Sequence, residues 1–351
     1  MKIIVACAGS SSRFPNMPPK WMLPDYDGRP MIAQAVEGLR ANTSDLIITI
    51  LKEHDERFGA LDGLRRAFDE KVRVVVLEKS TRSQSETVAE TLRATGLDEP
   101  FLVKDSDNYF ELSPIDQSTN YVSVASLNDF DHVNARNKSY VQVDQENIIV
   151  NVREKRVISD LFSVGGYFFR SPAEFLAAYE EMAAGGGGTA SELYLSDVIG
   201  FMILNGATFT ARHVAHYQDW GTVHEWRQKL EKRRVVMMSL DGFLFERGSR
   251  FFTPSFEEVK PNPQAMEAAR RIAQDQHMLI YLSIRPPEYE ALTRSQIREA
   301  GLPDGPIIFG CGIAQWALVT AGHPSLPFAT SRAFEVAPDD ANLLDKLDLL
   351  Q

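Results

Sequence analysis

Three stretches of this chain carry residue types suited to handling polyphosphate. The first, Ala8-Gly9-Ser10-Ser11-Ser12-Arg13-Phe14, continues to Pro18-Pro19-Lys20. Small residues there let backbone N–H groups approach phosphate oxygens, the hydroxyls add donors, and Arg13 and Lys20 supply positive charge. The spacing is neither that of a P-loop nor Gly-x-Gly-x-x-Gly. Chemistry alone therefore leaves two readings open, a phosphate cradle or a polar turn after a strand. The second stretch, Thr81-Arg82-Ser83-Gln84-Ser85-Glu86-Thr87, centres on Gln84, whose amide donates and accepts at once, as reading a nucleobase edge requires. Ser83 or Ser85 would equally serve as a helix N-cap, and both roles are compatible. The third, Lys104-Asp105-Ser106-Asp107-Asn108, spaces two carboxylates so as to suit a hard cation that also touches phosphate.

The elements that must position these groups alternate. Strand-like runs at 2–8, 45–51, 72–77 and 100–104 are separated by helical patterns at 31–40, 55–68 and 85–95. This is the βαβ rhythm of a parallel sheet with helices on both faces, where ligands bind beyond the carboxyl ends of the strands. From 121 to 217 the rhythm loosens into strands at 140–143 and 148–152 and helices at 173–184 and 192–205, a region suited to a second substrate. The four glycines at 185–188 read most simply as a flexible surface loop, with a functional lid as the alternative. A charged helical stretch at 224–234 precedes a second series: strand 235–238, helix 264–274, strand 278–282, helix 290–300 and strand 307–310. A boundary near Lys232 is expected, giving domains 1–231 and 232–351.

Composition agrees with this. At 351 residues with 44% hydrophobic content, two cores are the natural expectation. A net charge of −11, with no basic run beyond that in 231–234, argues against nucleic acid or an anionic membrane as partner. Two distant cysteines, Cys7 and Cys311, form no metal or redox pair and suggest a reducing compartment. The opening apolar run is too short for a signal segment, and no apolar stretch reaches about 18 residues, so a soluble cytoplasmic protein is expected. His213, His216 and His224 raise the question of zinc. With the first two in one strand, a three-residue offset would aim them at opposite faces, and ligands must converge.

The sequence "AGSSSRF…PK…LP…GRPMI" resembles the signature loop of sugar-phosphate nucleotidyltransferases. The resemblance implies a mixed-sheet, Rossmann-like, glycosyltransferase-A-like α/β domain over residues 1–230. It also implies that residues 8–20 wrap a triphosphate, with Arg13 on the β- and γ-phosphates and Lys20 on the α-phosphate. Trp21-Met22 stands where the family often has a further Pro. By the same resemblance, Gln84 contacts the base and Asp105 lies on the nucleotide. Asp107 binds a metal together with Asp219, from the late Gln218-Asp219-Trp220-Gly221-Thr222 element. Glu154 and Lys155 match the "Glu-Lys" step that places a lysine on the acceptor's phosphate. Gly166 matches the glycine-containing strand that follows, and Glu192 the acidic element that bonds ring hydroxyls in sugar-using relatives. Taken singly, an Asp beside a Gly is commonly a turn and a charged strand end commonly surface; the order of the whole set is what makes the resemblance specific.

The chemistry implied is transfer of a nucleotidyl group from a nucleoside triphosphate to a sugar 1-phosphate or similar small phosphate ester, with release of pyrophosphate. Mg²⁺, Arg13, Lys20 and Lys155 would offset the charge of two anions, and no general base is needed because a phosphate oxygen is already ionised. Surface polysaccharide precursors are the expected use. The alternatives are a metal-dependent glycosyltransferase using a nucleotide-sugar at Asp105-x-Asp107, and a transferase fused to an active phosphatase. Homo-oligomerisation stays open.

The second series resembles the haloacid dehalogenase superfamily. Ser239-Leu240-Asp241-Gly242 matches its first motif with Ser239 in place of the nucleophilic Asp, and Ser283 matches the phosphate-binding Ser/Thr of its second. Lys260 lies on the wrong side of that motif for the third, and the paired acids expected late in the chain are missing from 318–323, with Asp339-Asp340 in a turn-like context. A serine hydroxyl with no neighbouring base is a far weaker nucleophile, so a phosphatase-like domain without phosphatase activity is expected.

Overall fold

The structure is a computed structural model that describes residues 1–9, 13–130, 135–185, 192–231, 234–274 and 277–312, with 317, 333 and 335. The chain divides into two compact units, Met1–Val223 and His224–Gln351, a few residues before the boundary near Lys232 expected from sequence.

In the first unit, β1 (Lys2–Ala6), β2 (Leu46–Leu51), β3 (Arg73–Leu77) and β4 (Phe101–Lys104) are parallel neighbours in the order β4-β1-β2-β3. Their apolar, β-branched sequences suit strands covered on both faces. Alternation decides which face each side chain serves. Ile4, Phe101 and Val103 join one core with Val88, Phe175 and Val198, whereas Ile3, Val5 and Leu102 join the other with Trp21, Ile32 and Leu64. The helices supplying those cores are α1 (Met31–Glu37), α3 (Ala60–Phe68), α4 (Gln84–Thr95), α5 (Pro172–Gly185) and α6 (Leu195–Leu204), while α2 (Lys52–Phe58) buries only His54. The single helix expected at 55–68 is two, because Gly59 takes a left-handed conformation (φ 60°) and closes α2.

The sheet continues beyond β4 with changed polarity. After β5 (Asn108–Glu111) come β6 (Asn120–Ser126), β7 (Ser139–Val143), β8 (Ile149–Glu154), β9 (Leu161–Phe169) and β10 (Phe209–His213). Strand β9 runs antiparallel to both β4 and β6, giving the order β10-β6-β9-β4-β1-β2-β3, with β7 and β8 as an attached hairpin. The mixed sheet implied by the family resemblance is therefore observed. Strand β11 (Ala215–Asp219) leaves this sheet and pairs antiparallel with β5. The expectation that His213 and His216 share one strand is corrected here. The chain changes sheets between them, and His216 sits at positive φ (54°) in an irregular part of β11.

The second unit holds α7 (Val223–Glu231), which begins at the unit boundary, then β12 (Val235–Ser239), α8 (Pro263–Gln274), β13 (Met278–Leu282), α9 (Glu290–Glu299) and β14 (Ile307–Ile308). Its strands are parallel in the order β12-β13-β14, over a core that includes Leu240, Leu244, Met266, Tyr281 and Ile297. Residues 318–323 and Asp339-Asp340 lie outside the described residues. No helix among the described residues is long and apolar enough to cross a membrane.

Candidate active site

Strand β4 ends at Lys104, and the chain turns through Asp105-Ser106-Asp107 into β5. This turn lies at the carboxyl edge of the parallel strands, where open α/β sheets bind ligands. Strand β11 pairs Asp219 with Asn108, and the Trp220 amide donates to the Asp107 carbonyl at 2.9 Å. Two acids 112 positions apart thereby meet at Gly221. A methyl group built on that glycine would stand 3.2 Å from an Asp219 oxygen, 3.3 Å from an Asp107 oxygen and 3.3 Å from the Arg13 guanidinium.

Each acid has its own cation. Lys20 donates to Asp107, and Arg13 stands 3.6 Å from the same oxygen. Lys138, at the foot of β7, donates to Asp219 and to the Tyr217 hydroxyl at 2.7 Å. Burial opposes ionisation of Asp107, but the charges of Lys20 and Arg13 outweigh it and hold the carboxyl well below its ordinary range. Asp105 shifts the other way. Burial and the neighbouring Asp107 charge raise it, against the hydrogen bond from Gln84. The turn therefore carries one firmly ionised carboxylate and one that gives up its proton reluctantly.

Lys20 reaches Asp107 because Pro19 is followed by a single helical turn, Lys20–Met22, pinned by the Met22 amide on the Pro19 carbonyl at 2.9 Å. Trp21, the departure from the family pattern, fills the core there, its ring 5.8 Å from that of His54. Arg13 remains half-exposed on the loop. Ala8 is buried, and open space faces the α-carbon of Gly9. Ser10, Ser11 and Ser12 lie outside the described residues. Gln84 opens α4, capped by Ser83, whose hydroxyl accepts the Glu86 amide at 3.2 Å. Its side-chain amide donates to Asp105 at 2.5 Å, so the N-cap and the contact with the site coexist.

The second group of predicted residues gathers around Tyr194. Lys155 follows β8 at positive φ (52°), and its ammonium donates to the Tyr194 hydroxyl at 2.6 Å while standing 4.4 Å from the ring centre. The same hydroxyl donates to Glu192 at 2.7 Å. Glu192 precedes α6 instead of lying within it, because the Tyr194 amide bonds Asp197 at 3.0 Å and the helix starts at Leu195. Glu154 turns elsewhere, accepting from the hydroxyls of Ser139 and Ser196. Gly166 lies against Ser123 and Phe110, where a β-carbon would approach to 2.6–2.7 Å. Its neighbour Gly165 (φ 80°) faces Asp105 and Asn108, with its carbonyl accepting the Asp105 amide at 2.8 Å.

Three contributors escape a reading of the sequence. Lys138 has no motif around it. Gly165 lies beside Gly166 in the glycine-containing strand with no signal of its own. Lys104, fully buried, donates to the carbonyls of Asp105 and Asn108 at 2.8 and 2.9 Å and to the Asn108 side chain at 2.5 Å. Its burial drives its pKa down to about 7. A lysine ending an otherwise apolar strand is the one sequence signal for it.

Among the described residues, the Asp107 and Asp219 carboxylates face the space at Gly221 beside the Arg13 guanidinium, and two carboxylates are what Mg²⁺ takes from a protein when phosphates and water supply the rest. Among the described residues no group of three or more His, Cys, Asp or Glu gathers with metal-binding geometry. The donor set thus fits a hard ion shared with a phosphorylated ligand and does not resemble a closed structural site.

Solved structures share this architecture. A nucleoside-diphosphate-sugar pyrophosphorylase from Vibrio cholerae RC9 is 23% identical, covering 65% of this chain and 99% of its own, at a TM-score of 0.56. A CTP:phosphocholine cytidylyltransferase from Streptococcus pneumoniae is 17% identical, covering 66% and 97%, at 0.52. An inositol-1-phosphate CTP transferase from T. maritima is 13% identical, covering 64% and 90%, at 0.50. No protein-family model and no curated protein matches the chain. The fold of the N-terminal part is that of the nucleotidyltransferases.

Proposed function

We propose that the Met1–Val223 unit transfers a nucleotidyl group from a nucleoside triphosphate to a sugar 1-phosphate or a similar small phosphate ester and releases pyrophosphate. The observation that carries this reading is the convergence at Gly221 of Asp107 and Asp219 with Arg13, while Lys20 bonds the same Asp107 oxygen. A site of two anionic and several cationic groups, with no nucleophilic side chain among them, suits joining two phosphates. Arg13 and Lys20 bind and orient the triphosphate, and Gln84 meets the base. Lys155 holds the acceptor's phosphate, whose ionised oxygen attacks the α-phosphorus in line as pyrophosphate leaves. Asp107 and Asp219 would hold Mg²⁺, which supplies charge neutralisation to the phosphates when bound. The structures that share the fold include proteins named for CTP, phosphocholine, inositol 1-phosphate and nucleotide-sugars, and the acceptor here belongs to that chemical range. A cytoplasmic role in making surface polysaccharide precursors is consistent with it.

The His224–Gln351 unit reads as a haloacid dehalogenase-like domain without phosphatase activity. Ser239 stands in the nucleophile's place, and its hydroxyl donates to the Asp241 carbonyl at 3.1 Å. Asp241 is committed to Ser283 at 2.7 Å, to the Ile284 amide at 3.1 Å and to Arg285 at 2.8 Å.

The test is pyrophosphate release from CTP, UTP, dTTP, GTP and ATP, each against a panel of phosphorylated acceptors with Mg²⁺. At least one pair is expected to release pyrophosphate in stoichiometry with a nucleotide-linked product. Turnover of a nucleotide-sugar without a triphosphate would favour the glycosyltransferase reading instead, and release of phosphate from p-nitrophenyl phosphate by the wild-type chain would overturn the assignment of the second unit.

A further inference from the structure

Lys138 is the cation nearest Asp219, and neither motif nor resemblance points to it. Its ammonium bonds the Asp219 carboxylate and the Tyr217 hydroxyl, and stands 5.3 Å and 5.9 Å from the ring centres of Tyr217 and Phe162. These rings form a packed set with Phe130, at centroid distances of 5.6–6.0 Å. The side chain is only 12% exposed and that of Asp219 25%, so the pair is screened less than a surface ion pair. The Lys138 carbonyl accepts the amide of Lys155 at 3.0 Å across the β7–β8 hairpin. One backbone step thus joins the lysine that holds a metal-type carboxylate to the lysine assigned to the acceptor.

Lys20 is likewise paired with Asp107. At Asp107 the lysine sits on Oδ2, the oxygen that faces Gly221; at Asp219 it sits on Oδ2, while Oδ1 faces Gly221 and accepts its amide at 3.1 Å. A lysine on one oxygen of a carboxylate weakens the hold of a metal on the other, since two cations so close repel. We propose that Lys138 is the resident counter-cation of Asp219: it keeps the carboxylate aimed before ligands arrive, and its charge competes with the divalent ion for that carboxylate. The competition makes metal binding weak until a triphosphate adds its own negative charge, so that metal and nucleotide enter together. Lys138 is in this sense a positioning residue, acting through Asp219. The inference deepens the metal assignment above and rests on it.

The test reads metal binding directly, by Mn²⁺ electron paramagnetic resonance on the full chain without nucleotide. Lys138→Met is expected to bind Mn²⁺ about tenfold more tightly than wild type, because a competing positive charge has gone. Lys138→Arg keeps that charge and is expected to match wild type. Should Lys138→Met not fold, Lys138→Gln tests the same direction while retaining a donor for Tyr217. Equal or weaker Mn²⁺ binding by a folded charge-removing variant, or no measurable Mn²⁺ binding by any of them, overturns the proposal. A merely structural lysine would leave binding unchanged or weaken it, never strengthen it. Since no turnover is measured, failure of the pyrophosphate assay would count against the reaction and not against Lys138.

Discussion

Each unit places an aspartate just past the end of a parallel strand and pairs it with cations, yet the two clusters differ in their access to water. At Asp107 the partners are Lys20 and Arg13, with side chains 21% and 53% exposed. At Asp241 the partner is Arg285, and neither side chain is exposed at all. Arg285 spends further donors on Thr293 at 3.0 Å and Gln296 at 2.6 Å, and lies against Phe245 and Phe256. A cation that keeps contact with solvent can leave its carboxylate for a phosphate at modest cost. One sealed among aromatic rings cannot, because an unpaired buried charge is prohibitive. The first cluster is therefore built to exchange partners and the second to hold them.

The sharpest way to break this contrast is to remove the acid of the first cluster and the cation of the second. Asp107→Ala is expected to lower pyrophosphate release by about 10³-fold, the scale of losing a group that acts on developing charge. Some stability should go with it, because Lys20 and Arg13 favour the ionised Asp107 of the folded chain, but less than in the second unit, since both cations can fall back on water. Arg285→Met should do the reverse. It leaves Asp241 buried and uncompensated, and a loss of about 3–5 kcal/mol in the stability of the second unit is expected by chemical denaturation. Pyrophosphate release should persist under native conditions. A stable Arg285→Met protein would show that the Asp241 cluster is open after all.

A smaller effect separates positioning from charge within the first cluster. Gly165 has φ of 80°, and a β-carbon there would run into the Asp105 carboxylate and come within 2.6 Å of the Asn108 amide nitrogen. Gly165→Ala is expected to cost about 1–3 kcal/mol of stability from backbone strain. It should also lower activity, although no charged group changes. Gly9→Ala, where a β-carbon meets open space, should leave stability nearly untouched in the same denaturation series.

What could be read from sequence follows the range of the interaction. The βαβ rhythm of 2–104 was legible because each strand is a continuous apolar run and each helix shows its own period. The order of Arg13, Lys20, Gln84, Asp107 and Asp219 was legible because short local patterns surround each residue. The meeting of Asp107 with Asp219 needed β11 to leave the main sheet and pair with β5, a change that no periodicity announces. Lys138 and Arg285 were missed for a related reason. Lys138 has no motif around it, Arg285 lies in the motif of Ser283 with no role of its own there, and only tertiary pairing brings them against Asp219 and Asp241. Gly59 splitting a helix was available in principle, since a glycine inside an amphipathic run is a ready left-handed cap.

The smallest expected effect uses the two cysteines, one in each unit. Burial dominates at Cys7 and pushes its thiol up to about 12 from 9.0, against a hydrogen bond with Ser106 and the Lys20 charge. Cys311 is partly exposed, its sulfur 3.2 Å from the Ile308 carbonyl. A native thiol titration at neutral pH should therefore label Cys311 and spare Cys7, with both reacting in denaturant. The same shift fixes a sign for stability. Below pH 9 both folded and unfolded chains keep the Cys7 proton, and the contribution of this group is fully present. Between about 9 and 12 the unfolded chain loses that proton while the folded chain retains it, so stability falls as pH rises through this window. Cys7→Ala, measured against wild type across that range, should flatten the fall without altering labelling of Cys311. Rapid native labelling of Cys7 would mean that the end of β1, which Cys7 follows, opens far more readily than the place of that strand between β2 and β4 implies.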